Sequence, residues 1–443
     1  YTDLRKYKWQ VRRLFNRNYA ETREVKIPGV LLEMLSHQNF ADMKLGFDPQ
    51  FKFDFSRSVY KTITKYLATM HNRSYVIQPL PIHDFAVTLN EHRDIATLSW
   101  HPTKDELEPT ATPSHYIVYT RIGNGDFDNG TVISDHSCTI HLEKNTIYSF
   151  RVCALNKGGK SFPSETLTAY IAPENKGTVL IVNGFTRLSA PSSFNNATEQ
   201  GFTLNEDPGV PYGAFAGFCG EQKVFTKSTM GSEASNGLGY SGSELEGKVF
   251  MGNTFDYPYL HGQGIAETEQ HSFTSCSMSA LLTGQNDQLK LSNYKMLDVI
   301  YGVQKQDDAS LRQLLTDYCQ QGGRLFVSGA NLLTQNLVPA QLLKVELTET
   351  IKDKNIDHLH GCNLEFAIHR ELNGKSYAVP QVEAITAKEN AFPMLAYSDN
   401  QAAAVAYDGN DYKAITFGFP LESITEAHQR NQLMQAIVNF LCK

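Results

Sequence analysis

The sequence predicts a multidomain protein of mixed class: an α/β segment over residues 1–79, an all-β sandwich over 80–174 and an open-sheet α/β domain over 175–443. Three observations lead there. At 443 residues the chain exceeds one ordinary domain. The period of its apolar residues changes twice, from helical to alternating and then to continuous strand-length runs separated by helices. Both changes fall at proline-marked joints, "QPLPIHDF" (78–85) and "PENKG" (173–177).

In the first segment, "VLLEML" (30–35) follows Pro28 and Gly29 and reads as a buried strand whose end carries Glu33. Val59, Ile63, Tyr66 and Leu67 then recur at helical spacing with Arg57, Lys61 and Lys65 opposite, so an amphipathic helix is expected, N-capped by Asp54 or Ser56. In the second segment "ATLSW", "YIVYTRI" and "YSFRVCAL" are short and alternating, and "GNGDFDNG" supplies a turn between two of them. Tyr148, Phe150, Val152 and Ala154 alternate with Ser149, Arg151 and Cys153, which turns one set inward. The third segment opens on "TVLIVNGF", a continuous apolar run of the kind a parallel sheet buries on both faces. "YKMLDVIYG", "SLRQLLTDYCQQGG" and "RLFVSGAN" follow as strand, helix and strand, and "YKAITFGFP" with the C-terminal "ITEAHQRNQLMQAIVNFLCK" repeats strand and helix. The Gly-, Ser- and Asn-rich stretch 189–247 reads as long loops over the sheet's end.

Composition narrows the function classes. With 41% hydrophobic and 20% charged residues and no apolar stretch near the ~20 residues of a membrane span, no transmembrane function is implied. The net charge of −7 hides an asymmetry: residues 1–79 hold 14 Lys/Arg against 7 Asp/Glu, and the remainder holds 26 against 40. The basic excess reads as a solvated helical face, and alternatively as a surface for an anionic polymer. No nucleic-acid partner is expected. Seven cysteines, odd in number and without a C-x-x-C pair, suggest buried thiols and neither a zinc knuckle nor a disulfide framework. The chain begins at Tyr1 without an initiator Met or a signal peptide's regions, as a processed or truncated product would.

Chemistry enters through resemblance. Pro28, Val30, Leu31, Leu32, Glu33, Asn39 and Asp42, followed by "DPQFKFDFSRSVYKTITKYL", resemble the C-terminal end of the zinc-dependent N-acetylmuramoyl-L-alanine amidases of the amidase type 3 family, over roughly the first 70 residues. The resemblance implies that Glu33 is the general acid/base for a zinc-bound water attacking the amide. The family's His, Glu and His ligands lie upstream of this region. Residues 1–79 hold only His37 and His71, so zinc is expected of the complete parent domain and no metal ligand of this chain.

Trp100 with the alternating segments resembles a fibronectin type III domain, a spacer or adhesion unit. "VLIVNGF", "GGRLFVSGAN" and "FGFPLESI" resemble the class I glutamine-amidotransferase-like fold, a flavodoxin-like α/β sheet, whose elbow cysteine and histidine are replaced here by Ser328-Gly329-Ala330 and by Phe419-Pro420-Leu421-Glu422. Ser328 remains as a nucleophile candidate, although Phe326 stands where a G-x-S-x-G elbow needs glycine. Because ligands bind beyond the carboxyl ends of strands in open α/β sheets, Asn183, Ser328 and Asn331 are expected to line a pocket. His261, Glu267, Glu269 and His271 in "HGQGIAETEQHSF" match no zinc motif and read as a solvated polar loop.

The whole layout resembles secreted bacterial proteins labelled xanthan lyase or golvesin-domain proteins. It implies a protein of the periplasm, cell surface or exterior acting on peptidoglycan or another polysaccharide. Three functions stay open: an amidase-like wall hydrolase, a non-catalytic carbohydrate- or wall-binding protein, and a polysaccharide lyase.

Overall fold

The structure, a computed structural model, describes residues 2–8, 12–92, 94–174, 176–216, 221–229, 239–243, 245–284, 286 and 289–443. The chain forms two compact units, Tyr1–Ser74 with Leu188–Pro211 and Ala216–Lys248, and Tyr75–Arg187 with Tyr212–Phe215 and Val249–Lys443. This differs from the three consecutive segments expected: the 188–248 excursion groups with the N-terminal segment, and the sandwich groups with the second α/β sheet.

In the first unit "VLLEML" forms no strand, and Val30, Leu31 and Leu32 are 75%, 44% and 55% exposed. A strand exists only when a neighbour takes up its backbone N–H and C=O groups, and no described segment pairs with this one. Helix Phe40–Phe47 is capped by Asn39, whose Oδ1 accepts from Ala41 N and Asp42 N. Helix Pro49–Met70 starts earlier than expected, because Asp48 accepts from Gln50 N and Pro49 sets the first turn, an Asp-Pro start that outranks Asp54 and Ser56. Its buried stripe is Phe51, Phe55 and Ser58 with Arg57 and Lys61, while Ile63, Tyr66 and Leu67 are exposed; the larger aromatic pair sets the face. The 188–248 excursion is not all loop. Strands Ser193–Asn195, Glu199–Phe202 and Val224–Thr226 pair antiparallel, and Phe202 and Phe225 close on Phe40 with ring centroids 5.4 and 5.6 Å away.

In the second unit, short strands from His83 to Tyr170 make the expected sandwich. His83–Leu89, Ile95–His101 and Ser137–His141 form one antiparallel set; His115–Ile122, Ile147–Asn156 and Leu167–Tyr170 form the core of the other. Phe85, Trp100, Tyr116, Phe150 and Val152 fill the space between them. The sandwich then runs directly into a second sheet. Leu167–Tyr170 pairs antiparallel with Ser272–Ser277, which lies parallel to Thr178–Asn183, and Met296–Gly302, Arg324–Gly329 and Lys413–Phe417 continue in parallel. Ser272 and Ser275 turn their hydroxyls to the joint, accepting from Ala172 N and Thr168 N.

One face of the parallel sheet, Leu180, Val182, Leu297, Val299, Leu325 and Val327, packs on Leu311 and Leu315 of helix Ala309–Gln320. The other face carries helices Tyr257–Ala266 and Ala427–Leu441, which meet where a Cβ on Gly264 would stand 2.5 Å from Met434 Cβ. Cys153, Cys276 and Cys319 are buried free thiols, Cys362 is exposed, and Cys219 lies outside the described residues.

Arg121 of the sandwich clamps Asp256 at the start of helix Tyr257–Ala266 through two bonds of 2.6 and 2.7 Å, and donates to Ser149 Oγ as well. Its guanidinium lies 4.5 Å from the Tyr259 ring. Burial pushes the Asp256 carboxyl up and Arg121 pulls it back down. Asp256→Ala should therefore cost about 1.5–3 kcal/mol in denaturant unfolding, the range for a charge-assisted pair. Unchanged stability would show that the serine-lined strand joint alone couples sandwich to sheet.

Candidate functional site

The N-terminal unit presents an open basic cleft. Residues 12–19 take up neither helix nor strand, and Arg13 and Arg17 both reach the Phe15 ring between them in sequence. The guanidinium carbons of Arg13 and Arg17 stand 5.2 and 4.7 Å from the Phe15 ring centroid. With Arg12, Arg23, Tyr19 and Glu33 they border a cleft of about 740 Å³. Glu33 also borders an adjoining cleft of about 790 Å³ with Lys8, Arg12 and Lys44. Four arginines against one glutamate leave the first cleft positive. Arg23 is partly occupied, donating from Nε to Glu24 Oε1 at 2.7 Å. The alternation Arg-Leu-Phe-Asn-Arg is legible in the sequence, but reading the basic excess as a solvated helical face conceals it.

Glu33 is exposed, and it does not close an apolar strand. Zinc chemistry at this residue does not fit the residues present. Among the described residues no group of histidine, cysteine or carboxylate donors gathers around Glu33, and His37 is exposed. The geometry around Glu33 therefore supports no catalytic step through zinc.

The second unit holds a different cluster. Alternation puts Asn183, Asp298 and Ser328 on the sheet face opposite the Leu180–Val327 core. Helix Tyr257–Ala266 inserts His261 onto that face. Its Nδ1 lies 2.8 Å from Asp298 Oδ2 and its Nε2 3.3 Å from Glu422 Oε2, and Tyr377 donates to Glu422 Oε1 at 2.7 Å. His261 and Asp298 are fully enclosed, and Glu422 and Tyr377 nearly so. Burial alone would push the imidazole down, and the two carboxylates outweigh it, raising the group to about 9. Burial pushes Asp298 up while His261 holds it down. Of the solvated polar loop expected at 261–271, residues 261–266 instead end a helix turned inward at His261, because two acids on neighbouring elements need a cation.

This cluster binds the fold together. Both ring nitrogens are occupied by carboxylates, so His261 is not placed as a base for Ser328, and Ser328 Oγ is buried without a hydrogen-bond partner. Asn183 donates to Glu165 Oε2 at 2.7 Å, and Asn331 donates to Gln304 O and accepts from Gln381 Nε2. Asn183, Ser328 and Asn331, at most 1% exposed, are packing groups in place of pocket walls. Glu267 accepts from Asn431 and Gln435, Glu269 sits at a left-handed turn, and His271 is buried at the start of a strand; none joins His261 as a ligand. The signal for the cluster was present in the sequence: Asp298 interrupts an otherwise apolar parallel strand, and such a charge demands a partner.

Comparison with known proteins identifies one part of the chain. Residues 80–170 match the fibronectin type III domain family, in agreement with the strand pairing of the sandwich. No curated protein matches the chain. Similar solved structures include a twitchin kinase region from C. elegans, 26% identical over 21% of this chain and 17% of that one, TM-score 0.19. A structure described as FN3tt mut is 20% identical over 21% of this chain and 94% of that one, TM-score 0.18. A fourth FNIII domain from human is 25% identical over 21% and 79%, TM-score 0.19. The chain thus spans less than a fifth of the twitchin region. Among the described residues, no helix is long and apolar enough to cross a membrane.

Proposed function

We propose that this chain is a non-catalytic binding protein for an anionic polysaccharide of the cell wall or envelope, working at the cell surface or in the periplasm. The observation that carries the reading is the open cleft in which Arg12, Arg13, Arg17 and Arg23 surround Phe15 and Tyr19. Guanidinium groups pair with carboxylates through paired N–H bonds, and the half-exposed Phe15 and Tyr19 rings beside them offer apolar surface to a sugar ring. The fibronectin type III domain, a common scaffold, fits a binding role, and the parallel sheet fits a flavodoxin-like module whose enclosed polar groups maintain structure.

The test is retention of the whole chain on peptidoglycan sacculi and on a soluble uronate polymer, with a neutral glucan and duplex DNA as controls. Binding to the uronate polymer should fall with added salt, and Arg13→Ala with Arg17→Ala should weaken it by about tenfold, or about 1.4 kcal/mol. Equal retention of the glucan or of DNA would sink the reading. Release of L-alanyl peptides from sacculi, abolished by Glu33→Gln, would replace it with the amidase reading, and unsaturated uronate among the products would replace it with the lyase reading.

A further inference from the structure

A second site stands on the outer face of the sandwich, independent of the arginine cleft. His83 pairs across the sheet with His101, and Ala86 with Ser99, so two residues, Asp84 and Phe85, stand opposite the single Trp100. This is a β-bulge. The extra residue lets Phe85 and Trp100 stay in the core while Asp84, at φ +53°, rotates toward the two histidines. Few residues other than glycine take that backbone conformation without compensation.

The outcome is three donors of metal-ligating type converging on one point. Asp84 Oδ2 lies 2.9 Å from His83 Nδ1 and 3.3 Å from His101 Nδ1, and all three donor atoms fall within 4.8 Å of one another. His101 Nδ1 is sealed from solvent yet lies outside hydrogen-bonding geometry with Asp84. Such an atom is an unsatisfied group that a cation would satisfy. Among the described residues this is the one group of three such donors. The Asp84 side chain is 8% exposed, and those of His83 and His101 are 49% and 45% exposed, so the carboxylate is enclosed and the imidazoles border solvent. Donors of a tetrahedral zinc lie about 3.3 Å apart, the spacing His101 and Asp84 already have, so small imidazole rotations would open the His83–Asp84 pair slightly and bring the two histidine donors to the same spacing.

We propose that His83, Asp84 and His101 bind a zinc-class divalent cation, with at least one coordination position open to water or to an outside donor. Two imidazoles and one carboxylate select borderline transition cations over calcium or magnesium, which prefer all-oxygen shells. The metal would bridge the first two strands of the sandwich at their bulge.

The test is calorimetric titration of chelator-stripped full-length protein with Zn²⁺, and with Co²⁺ followed by its visible absorption. One equivalent per chain is expected, with weakening of more than about tenfold in His83→Ala and in His101→Ala. Co²⁺ should give bands of low coordination number that Asp84→Asn weakens. Far-UV circular dichroism of each variant checks the fold, and the half-exposed histidines are replaceable without touching the core. Failure of the stripped protein to take up zinc, or an unchanged titration in the His83→Ala, His101→Ala double variant, would overturn the proposal.

Discussion

Asp298→Ala is expected to destabilise the second unit by about 3–5 kcal/mol in chemical denaturation, because it breaks a fully buried ion pair and leaves its partner in an apolar surround. His261 would keep only Glu422, at 3.3 Å, where it now also has Asp298 at 2.8 Å. Its pKa should fall, because the larger of its two carboxylate attractions is lost. A stability loss below about 1 kcal/mol would mean that Glu422 suffices and that the pair is not the tie proposed.

The same cluster sets a pH dependence. The folded pKa of His261 is about 9, above the ordinary 6.5, so its protonated form favours the folded chain. That contribution is whole below pH 6.5 and is lost as pH rises through 9, at about 1.4 kcal/mol per unit of displacement. Asp298 is raised too, by burial, and its own decline begins above the ordinary carboxylate value of 3.8, ahead of the imidazole's window. Stability should therefore decline between pH 6.5 and 9, and His261→Leu paired with Asp298→Leu should flatten that decline. A wild-type curve level over this range would show the imidazole to be neutral in the folded protein.

How much of this was legible in sequence depended on whether the physical cause was local. The alternation of Tyr148 to Ala154 announces a half-buried strand, and the β-sandwich followed from it. The apolar runs at Thr178–Asn183, Met296–Gly302 and Arg324–Gly329 likewise declare buried parallel strands. "VLLEML" misled for the complementary reason: an apolar run states that a strand would be buried, and says nothing of whether a partner strand is present. Asp298 inside an apolar run announced a buried charge, but not its partners: His261, Tyr377 and Glu422 come from three other distant stretches, joined to it only once the sheet and its covering helix are in place. The bulge at Asp84 was hidden as well. Its single extra residue is visible only against the register of the neighbouring strand.

Arg370→Leu should be the other severe substitution. Arg370 is 3% exposed, and its guanidinium donates to the backbone carbonyls of Ile351, Ile356, Val379 and Pro380. Those carbonyls belong to the end of strand Val345–Ile351, the turn after it, and the approach to strand Val382–Ala387, its antiparallel partner. One planar group with five fixed donors therefore closes the irregular chain between two paired strands, where no backbone ladder could. Leucine would fill part of the volume and satisfy none of the carbonyls. Each unsatisfied buried acceptor costs about 1–3 kcal/mol, and water entry relieves some of them, so a loss of at least about 3 kcal/mol is expected. Arg370→Lys should recover less than half, since a single ammonium cannot reach acceptors spread over four residues. Hydrogen exchange should localise the damage to residues 351–382, with protection kept in the parallel strands. A leucine variant within about 1 kcal/mol of the wild type would show that the segment holds its shape through Tyr377 and the strand pairing alone, and that the guanidinium is incidental to it.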